Sequence, residues 1–324
     1  MHALVLRTAG VRIAGVFDPD PGRARALAEM HGGAEVYASA SALFRSDANM
    51  VCVTSPPPLH VAQAEEAAAA RAGRVVFVEK PLAVTKDELT RLARVPGCVP
   101  IVQWRAGRAL RAVRAAIAQG ELGPAPSVSA DLAWSRDAAY FAAGRGTLAA
   151  WGCGVLLSVG VHAIDAIGWA MGRPFHAVHG VLERPPGVEI ETRAAMLLAF
   201  DGGGLAAVRA TFDAGPDATC LSFAGGGVTA TIRGGELDPT ASAVEWSCAD
   251  EARLLRLHAI EAGASGATAP PLLVPFLRDA VAALDAGAEP GACDALPGVR
   301  DVWDAHAAIL DVYASSPRPP PANP

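Results

Sequence analysis

The segment 74–83, RVVFVEKPLA, limits the possible folds more than any other stretch of the chain. Val75, Val76, Phe77 and Val78 form a short unbroken run of β-branched and aromatic residues. That is the pattern of a strand buried on both faces of a parallel sheet. The run ends at Glu79-Lys80-Pro81, where proline withdraws a ladder donor and biases the residue before it away from helix. Two charged side chains are thereby delivered to the carboxyl edge of a strand, the place where open α/β sheets bind ligands. Lys80 is also one of only two lysines, with Lys86, among 27 basic residues. Lysine can give up a proton near neutral pH and arginine cannot, which suits a functional Lys80. Chance survival in an arginine-rich composition fits the count equally well.

Around this strand the chain alternates. Strands are expected at 11–17, 35–37, 50–54 and 99–104, and helices at about 19–31, 40–45, 59–72 and 86–95. Strand and helix at this spacing predict a parallel sheet with crossover helices, an α/β Rossmann-like doubly wound domain over 1–105. A second domain is expected over 106–316. It opens with a basic helix and the turn GELGP, then a strand at 127–134, a loop at 136–154 and the helix GVLLSVGVHAIDAIGWAMG. Six strand-like segments follow between 176 and 250, separated by Gly, Pro and Asp turns, which predicts a large, mostly antiparallel open sheet. Two helices, 271–286 and 298–313, close the domain. The proline-rich tail 317–324 is expected to be disordered.

A length of 324 residues accommodates two such domains. The net charge of −6, with no Lys/Arg cluster, argues against a nucleic-acid surface. No uninterrupted 18-residue apolar run and no signal-peptide opening are present, so a cytoplasmic protein without membrane contact is expected. The six cysteines include no CxxC pair, which fits reduced thiols and no metal site.

Three further features carry chemistry. Ser158, His162 and Asp165 stand at i, i+4 and i+7 on one face of a helix and need either polar partners or a cleft. A core histidine bonded to a neighbouring carboxylate would satisfy that need as well as an active site would. Asp18 ends the 11–17 strand. In dinucleotide-binding folds an acid there binds the adenosine ribose, although a turn aspartate in DPDP reads the same. The glycine fingerprint should lie about 20 residues earlier. Residues 1–10 read instead as the end of the first crossover helix, capped by Gly10, and neither a first strand nor GxGxxG is seen. Either the start was misassigned and about 20–25 residues lie upstream, or the chain is a repurposed relative that binds a dinucleotide weakly or not at all.

The segments GVFDPDPGRARALAEMHG, VCVTSPPPLHVAQAEEAAAA, RVVFVEKPLAVT, VQWRAGRALRAVRAAIAQGELGP and WGCGVLLSVGVHAIDAIGWAMGRP resemble the glucose–fructose oxidoreductase/inositol dehydrogenase (Gfo/Idh/MocA) family over nearly the whole chain. The resemblance implies a nicotinamide-dependent oxidoreductase acting on a sugar, polyol or related hydroxy or keto compound. It also implies a homodimer or homotetramer formed through the C-terminal sheet. NAD is preferred over NADP, since a carboxylate at Asp18 repels a 2′-phosphate. Carried over residue by residue, the resemblance puts Asp18, Thr54, Ser55, Pro56, His60, Glu79 and Lys80 on the cofactor. Lys80 and His162 become the proton-transfer pair, while Arg105, Tyr140, Ser158 and Asp165 become substrate contacts, with Gln103 and Trp104 near them and Arg145 beside Tyr140. Ser158 occupies a position where polyol dehydrogenases of the family carry an aspartate, so their full relay is not reproduced here. Two alternatives follow: a non-catalytic ligand- or partner-binding module, and a redox-cycling NAD-dependent glycosidase.

Overall fold

The computed structural model describes residues 1–316 except 214, 235–239, 241 and 269–270. The tail 317–324, expected to be disordered, lies outside the described residues. In chain order the first elements are α1 (His2–Thr8), β1 (Gly15–Val16), α2 (Pro21–Met30), β2 (Glu35–Val36) and α3 (Ala40–Phe44). They are followed by β3 (Met50–Val53), α4 (His60–Ala70), β4 (Val75–Val78), α5 (Lys86–Leu92) and β5 (Cys98–Pro100). A 3₁₀ turn at Gln103–Ala106 leads to α6 (Arg108–Ala118), β6 (Ser127–Ala133), α7 (Ala138–Tyr140) and α8 (Leu148–Trp151). A π-helical turn, Leu156–Gly160, runs straight into α9 (Val161–Met171). Then come β7 (Phe175–Glu183), β8 (Arg193–Phe200), β9 (Leu205–Thr211), β10 (Ala218–Gly225), β11 (Val228–Gly234) and β12 (Val244–Cys248). Helices α10 (Glu251–Gly263), α11 (Leu273–Asp285) and α12 (Trp303–Ser315) end the described chain.

These elements form two compact units. The first holds Met1–Ala83, Asp87–Ile101 and Leu273–Val302; the second holds Val84–Lys86, Val102–Leu272 and Trp303–Pro324. The expected second domain, 106–316, is thus interrupted, because α11 packs against α1 and belongs to the first unit.

In the first unit β3, β4 and β5 are parallel, with Val51 opposite Val76 and Phe77 opposite Val99. Val76, Phe77 and Val78 are wholly enclosed, as an apolar run flanked by crossover helices requires. Buried Arg74 precedes this strand and donates to the carbonyls of Phe44, Ser46, Ala48 and Ala67, tying the ends of α3 and α4 to it. β1 and β2 make a separate parallel pair. The strand expected over 11–17 therefore pairs at only two residues. The strand expected over 99–104 likewise stops at Pro100, and Gln103–Ala106 coils into the 3₁₀ turn.

The second unit is built on a seven-stranded sheet of order β12-β11-β10-β6-β9-β8-β7. Only β6 and β9 run parallel; the other neighbours are antiparallel. Its inner face carries Met196, Leu198, Phe200, Val208 and Phe212, all buried, beneath the π-turn and α9 and α12. The close approach of α12 explains Gly180, where a Cβ would stand 2.4 Å from Val312. The outer face leaves Val178, Val181, Leu197 and Leu205 about half exposed or more.

Candidate active site

The first unit brings six of the expected residues to neighbouring strand ends. Thr54–Pro56 leave the carboxyl end of β3 and Glu79–Lys80 leave that of β4, where the Glu79 N–H donates to the Val53 carbonyl. His60, at the start of α4, is almost completely buried and ties the two exits together. Its Nδ1 lies 2.8 Å from the Pro81 carbonyl and its Nε2 lies 2.7 Å from the Ser55 carbonyl. Ser55 Oγ in turn donates to Gln63 Oε1 at 2.7 Å. A neutral imidazole has one N–H to offer, so two facing carbonyls favour the charged ring. Burial opposes that charge and prevails, holding the His60 pKa below its ordinary value. His60, expected beside the cofactor, links the two loops that leave β3 and β4.

Glu79 is tied in as well. Its Oε1 sits 2.6 Å from His2 Nε2, and its Oε2 accepts the Lys80 backbone N–H at 2.9 Å. Burial pushes its pKa upward, but the bond and charge of His2, with Lys80, outweigh burial and hold it below the usual value. The carboxylate is therefore ionised and points its hydrogen bonds along the segment that carries Lys80. His2 was not singled out in the sequence. It lies 77 residues from its partner, and no local pattern announces such a pair. Asp18 follows β1, and its Oδ1 accepts the Asp20 N–H at 2.8 Å, as an Asx turn leading into α2 does.

In the second unit the helix expected to carry chemistry begins as a π-turn, a wider coil common where side chains are re-aimed for function. Ser158 Oγ donates to the Gly154 carbonyl four residues back at 2.6 Å. His162 lies in an aromatic slot. Trp104 stacks on it at 5.3 Å between ring centroids and 16° between planes, and Trp134 leans on it at 6.3 Å. Asp165 is gripped by Arg105 through two bonds of 2.9 and 2.5 Å, with both side chains buried. This grip fixes the 3₁₀ turn, and hence Trp104, over His162. Arg105, Ser158 and Asp165 were expected to meet substrate directly. In the structure Ser158 bonds the Gly154 carbonyl, and Arg105 and Asp165 bond each other beside Trp104 and His162.

The start of this helix is capped from afar. Buried Glu191 accepts the Leu156 N–H at 3.0 Å and the Tyr313 hydroxyl at 2.6 Å, and that hydroxyl also accepts the Leu157 N–H. A Cβ on Gly154 would fall 2.2 Å from Glu191 Oε2, so only glycine admits the carboxylate there. Burial holds the Glu191 pKa above its ordinary value against these donors.

Elsewhere in this unit Ser135, Arg136, Asp137, Ala139, Tyr140 and Arg145 line an open cavity of about 580 Å³. Arg136 and Arg145 approach the Tyr140 ring to 5.3 and 4.9 Å, cation–π distances that stiffen both arginines. Burial raises the Tyr140 pKa, although the two arginines pull it down. The loop expected at 136–154 thus contains two short helices and an ordered aromatic cluster. Arg136 went unnoticed in the sequence, since nothing local marks its stacking.

Residues 1–96 match the family described as an oxidoreductase family with an NAD-binding Rossmann fold, and residues 110–234 match the GFO/IDH/MocA C-terminal domain. Two inositol 2-dehydrogenases are similar over part of the chain. That of Ralstonia nicotianae is 40% identical over 94 residues, which are 28% of this chain and 27% of the relative. That of Burkholderia multivorans is 38% identical over 116 residues, which are 35% of this chain and 31% of the relative. The matched stretches therefore take in about a third or less of either relative. Among solved structures, the WlbA dehydrogenase of Bordetella pertussis, determined with NADH and UDP-GlcNAcA, shares the fold with a TM-score of 0.78. It is 20% identical, with coverage of 99% of this chain and 94% of that one.

Proposed function

The chain belongs to the Gfo/Idh/MocA oxidoreductase family, and on that footing we propose that it is a nicotinamide-dependent oxidoreductase acting on a CH–OH group of a sugar or polyol. The observation that carries this reading is the delivery of Glu79 and Lys80 to the carboxyl end of β4, directly after the fully buried Val76, Phe77 and Val78. When bound, the dinucleotide would supply the two-electron hydride acceptor or donor. Asp18 would hold the adenosine ribose, and Thr54, Ser55, Pro56 and Glu79 would line the nicotinamide end. The acid at Asp18 favours NAD over NADP. The Lys80 side chain, as the neutral amine, takes the proton of the substrate hydroxyl as the carbonyl forms, and as the ammonium returns it in the reverse direction, the task of a general acid–base. His162, fixed between two tryptophans, is the second proton-transfer group, and Tyr140 and Arg145 are substrate contacts. The residues named suit the two ends of a dinucleotide; among the described residues of the first unit no glycine-rich strand-to-helix turn faces its pyrophosphate.

The sheet division between β1 and β3 favours a second reading, in which this chain binds sugar without turning it over. One experiment addresses both: reduction of NAD followed by absorbance with myo-inositol and a panel of hexoses and uronates, using the chain and its Lys80→Met variant. Turnover that falls at least a thousandfold in the variant, with the unfolding transition unchanged, is expected. Full activity in Lys80→Met would remove the lysine from the mechanism, while calorimetric binding of a sugar by the parent chain with neither NAD binding nor NAD reduction would favour the second reading. Self-association through the outer face of the seven-stranded sheet completes the proposal.

A further inference from the structure

Arg145 is held as a cation whose anion is missing from the fold. Its guanidinium lies between two rings, 4.9 Å from the centre of Tyr140 and 5.1 Å from that of Trp151. Stacking on aromatic faces fixes the plane of a guanidinium and leaves its N–H edge to donate. No carboxylate among the described residues forms an ion pair with it. The nearby acids serve backbone groups instead: Asp137 Oδ1 accepts the Tyr140 N–H at 2.9 Å, and Glu189 Oε2 accepts the Leu148 N–H at 2.8 Å. The Trp151 indole N–H beside Arg145 is enclosed and finds no acceptor among the described residues. Donors and positive charge are in excess here, and buried donors ordinarily find acceptors.

The cluster opens on the cavity of about 580 Å³ that Arg136, Asp137, Tyr140 and Arg145 help to line. A cavity of that size is in the range of small-molecule sites. Two guanidinium groups against one carboxylate leave its wall net positive. Arg136 has partners of its own, among them the Ser135 carbonyl at 2.7 Å, and its part here is its charge. Arg136 also relates the cavity to His162. It lies 5.7 Å from the centre of the Trp134 ring, and Trp134 leans on His162 at 6.3 Å. One aromatic ring thus separates the cavity wall from the second proton-transfer group. A planar guanidinium matches two oxygens of a carboxylate or phosphate, a geometry that an ammonium does not reproduce. We propose that Arg145 binds an oxyanion carried by the substrate, so that the site takes an acidic sugar, a sugar acid or a sugar phosphate, in preference to a neutral one. That the anion is borne by a sugar rests on the oxidoreductase reading; the anion subsite rests on Arg145 and its rings.

The test reads binding, which does not require turnover. The chain is titrated by calorimetry with D-glucuronate, with its uncharged amide and with D-glucose 6-phosphate. At least one of the two anions should bind about tenfold or more tighter than the amide, and added salt should shrink the difference. Preference for glucuronate identifies a carboxylate and preference for glucose 6-phosphate a phosphate ester. Arg145→Met should erase the preference, whereas Arg145→Lys, which keeps the charge and loses the fork, should retain part of it. A change in overall structure would weaken all three probes together and leave their ratio intact. Equal affinity for the three probes, no binding of either anion, or a preference that survives Arg145→Met would overturn the proposal. Anion preference without NAD reduction would keep the subsite and reject the oxidoreductase. NAD reduction as fast with the amide as with glucuronate would keep the oxidoreductase and reject the subsite.

Discussion

His60 and Glu79 show how single side chains hold a reactive segment in place. His60 bridges the exits of β3 and β4 through the Ser55 and Pro81 carbonyls. Replacing it with alanine removes both contacts and deprives the carbonyl served by the ring N–H of its donor, for an expected loss of about 1–3 kcal/mol in urea unfolding. A wild-type denaturation midpoint in His60→Ala would show that the bridge carries no stability. Glu79 offers a pH test. Its folded pKa lies below the ordinary 4.5, so its contribution is present above that value and is lost as pH falls through the folded pKa. His2→Ala removes the principal cause of the depression. The variant should be less stable than the parent at neutral pH, and the two should converge in acid. A gap of constant size across the titration would mean that His2 acts by packing alone.

Among elements, the helix that bears His162 is the most elaborately supported. Its amino end, a π-turn, is closed by Glu191 and Tyr313 from distant parts of the chain, and its middle is gripped by Arg105. The pKa of Glu191 is raised, so the fold favours the protonated form. That contribution is full below about 4.5 and is lost as pH rises through the folded value. Glu191→Gln keeps an oxygen for both Leu156 and Tyr313, and it should flatten the pH dependence of stability above that range. Glu191→Ala, which leaves the helix start open, should be destabilised at every pH by about 1–3 kcal/mol. Equal pH profiles in the parent and Glu191→Gln would refute the assignment. The helix itself was legible, because an apolar face with Ser158, His162 and Asp165 in line is a local pattern. Its supports were not, since Arg105 and Asp165 are 60 residues apart and Glu191 and Tyr313 are 122 apart. α10 escaped notice for another reason: only Leu257 and Glu261 of its residues are buried, so almost no apolar stripe exists. Its one local signal was Asp250, whose side chain caps the helix at the Arg253 N–H.

For the whole molecule, the alternation of strands and helices that predicted an α/β fold arises from burial, and burial is what a sequence records most directly. Alternation in β8 and β9 likewise marks a two-faced sheet, and its inner face holds Met196, Leu198, Phe200, Val208 and Phe212. Association, if the sheet supports it, must use the opposite set. On β7, β8 and β9 the outer positions hold Val178, Val181, Leu197 and Leu205 at 48–60% exposure, around the small residues Ala195 and Ala207. A β-bulge at Val178 breaks the register with β8 and adds one more apolar side chain to that face. Ion pairs, Arg209 with Asp131 and Arg193 with Glu183 and Asp213, sit among the same strands. An apolar centre among satisfied charges is the composition of a protein–protein contact surface. Light scattering of the parent chain should therefore give a dimer or tetramer. Leu197→Asp with Leu205→Asp should give a monomer with unchanged far-ultraviolet circular dichroism, because both side chains already face outward and no core contact is lost. A monomeric parent would dismiss this face as an interface, and an oligomer that survives the double substitution would move the interface elsewhere.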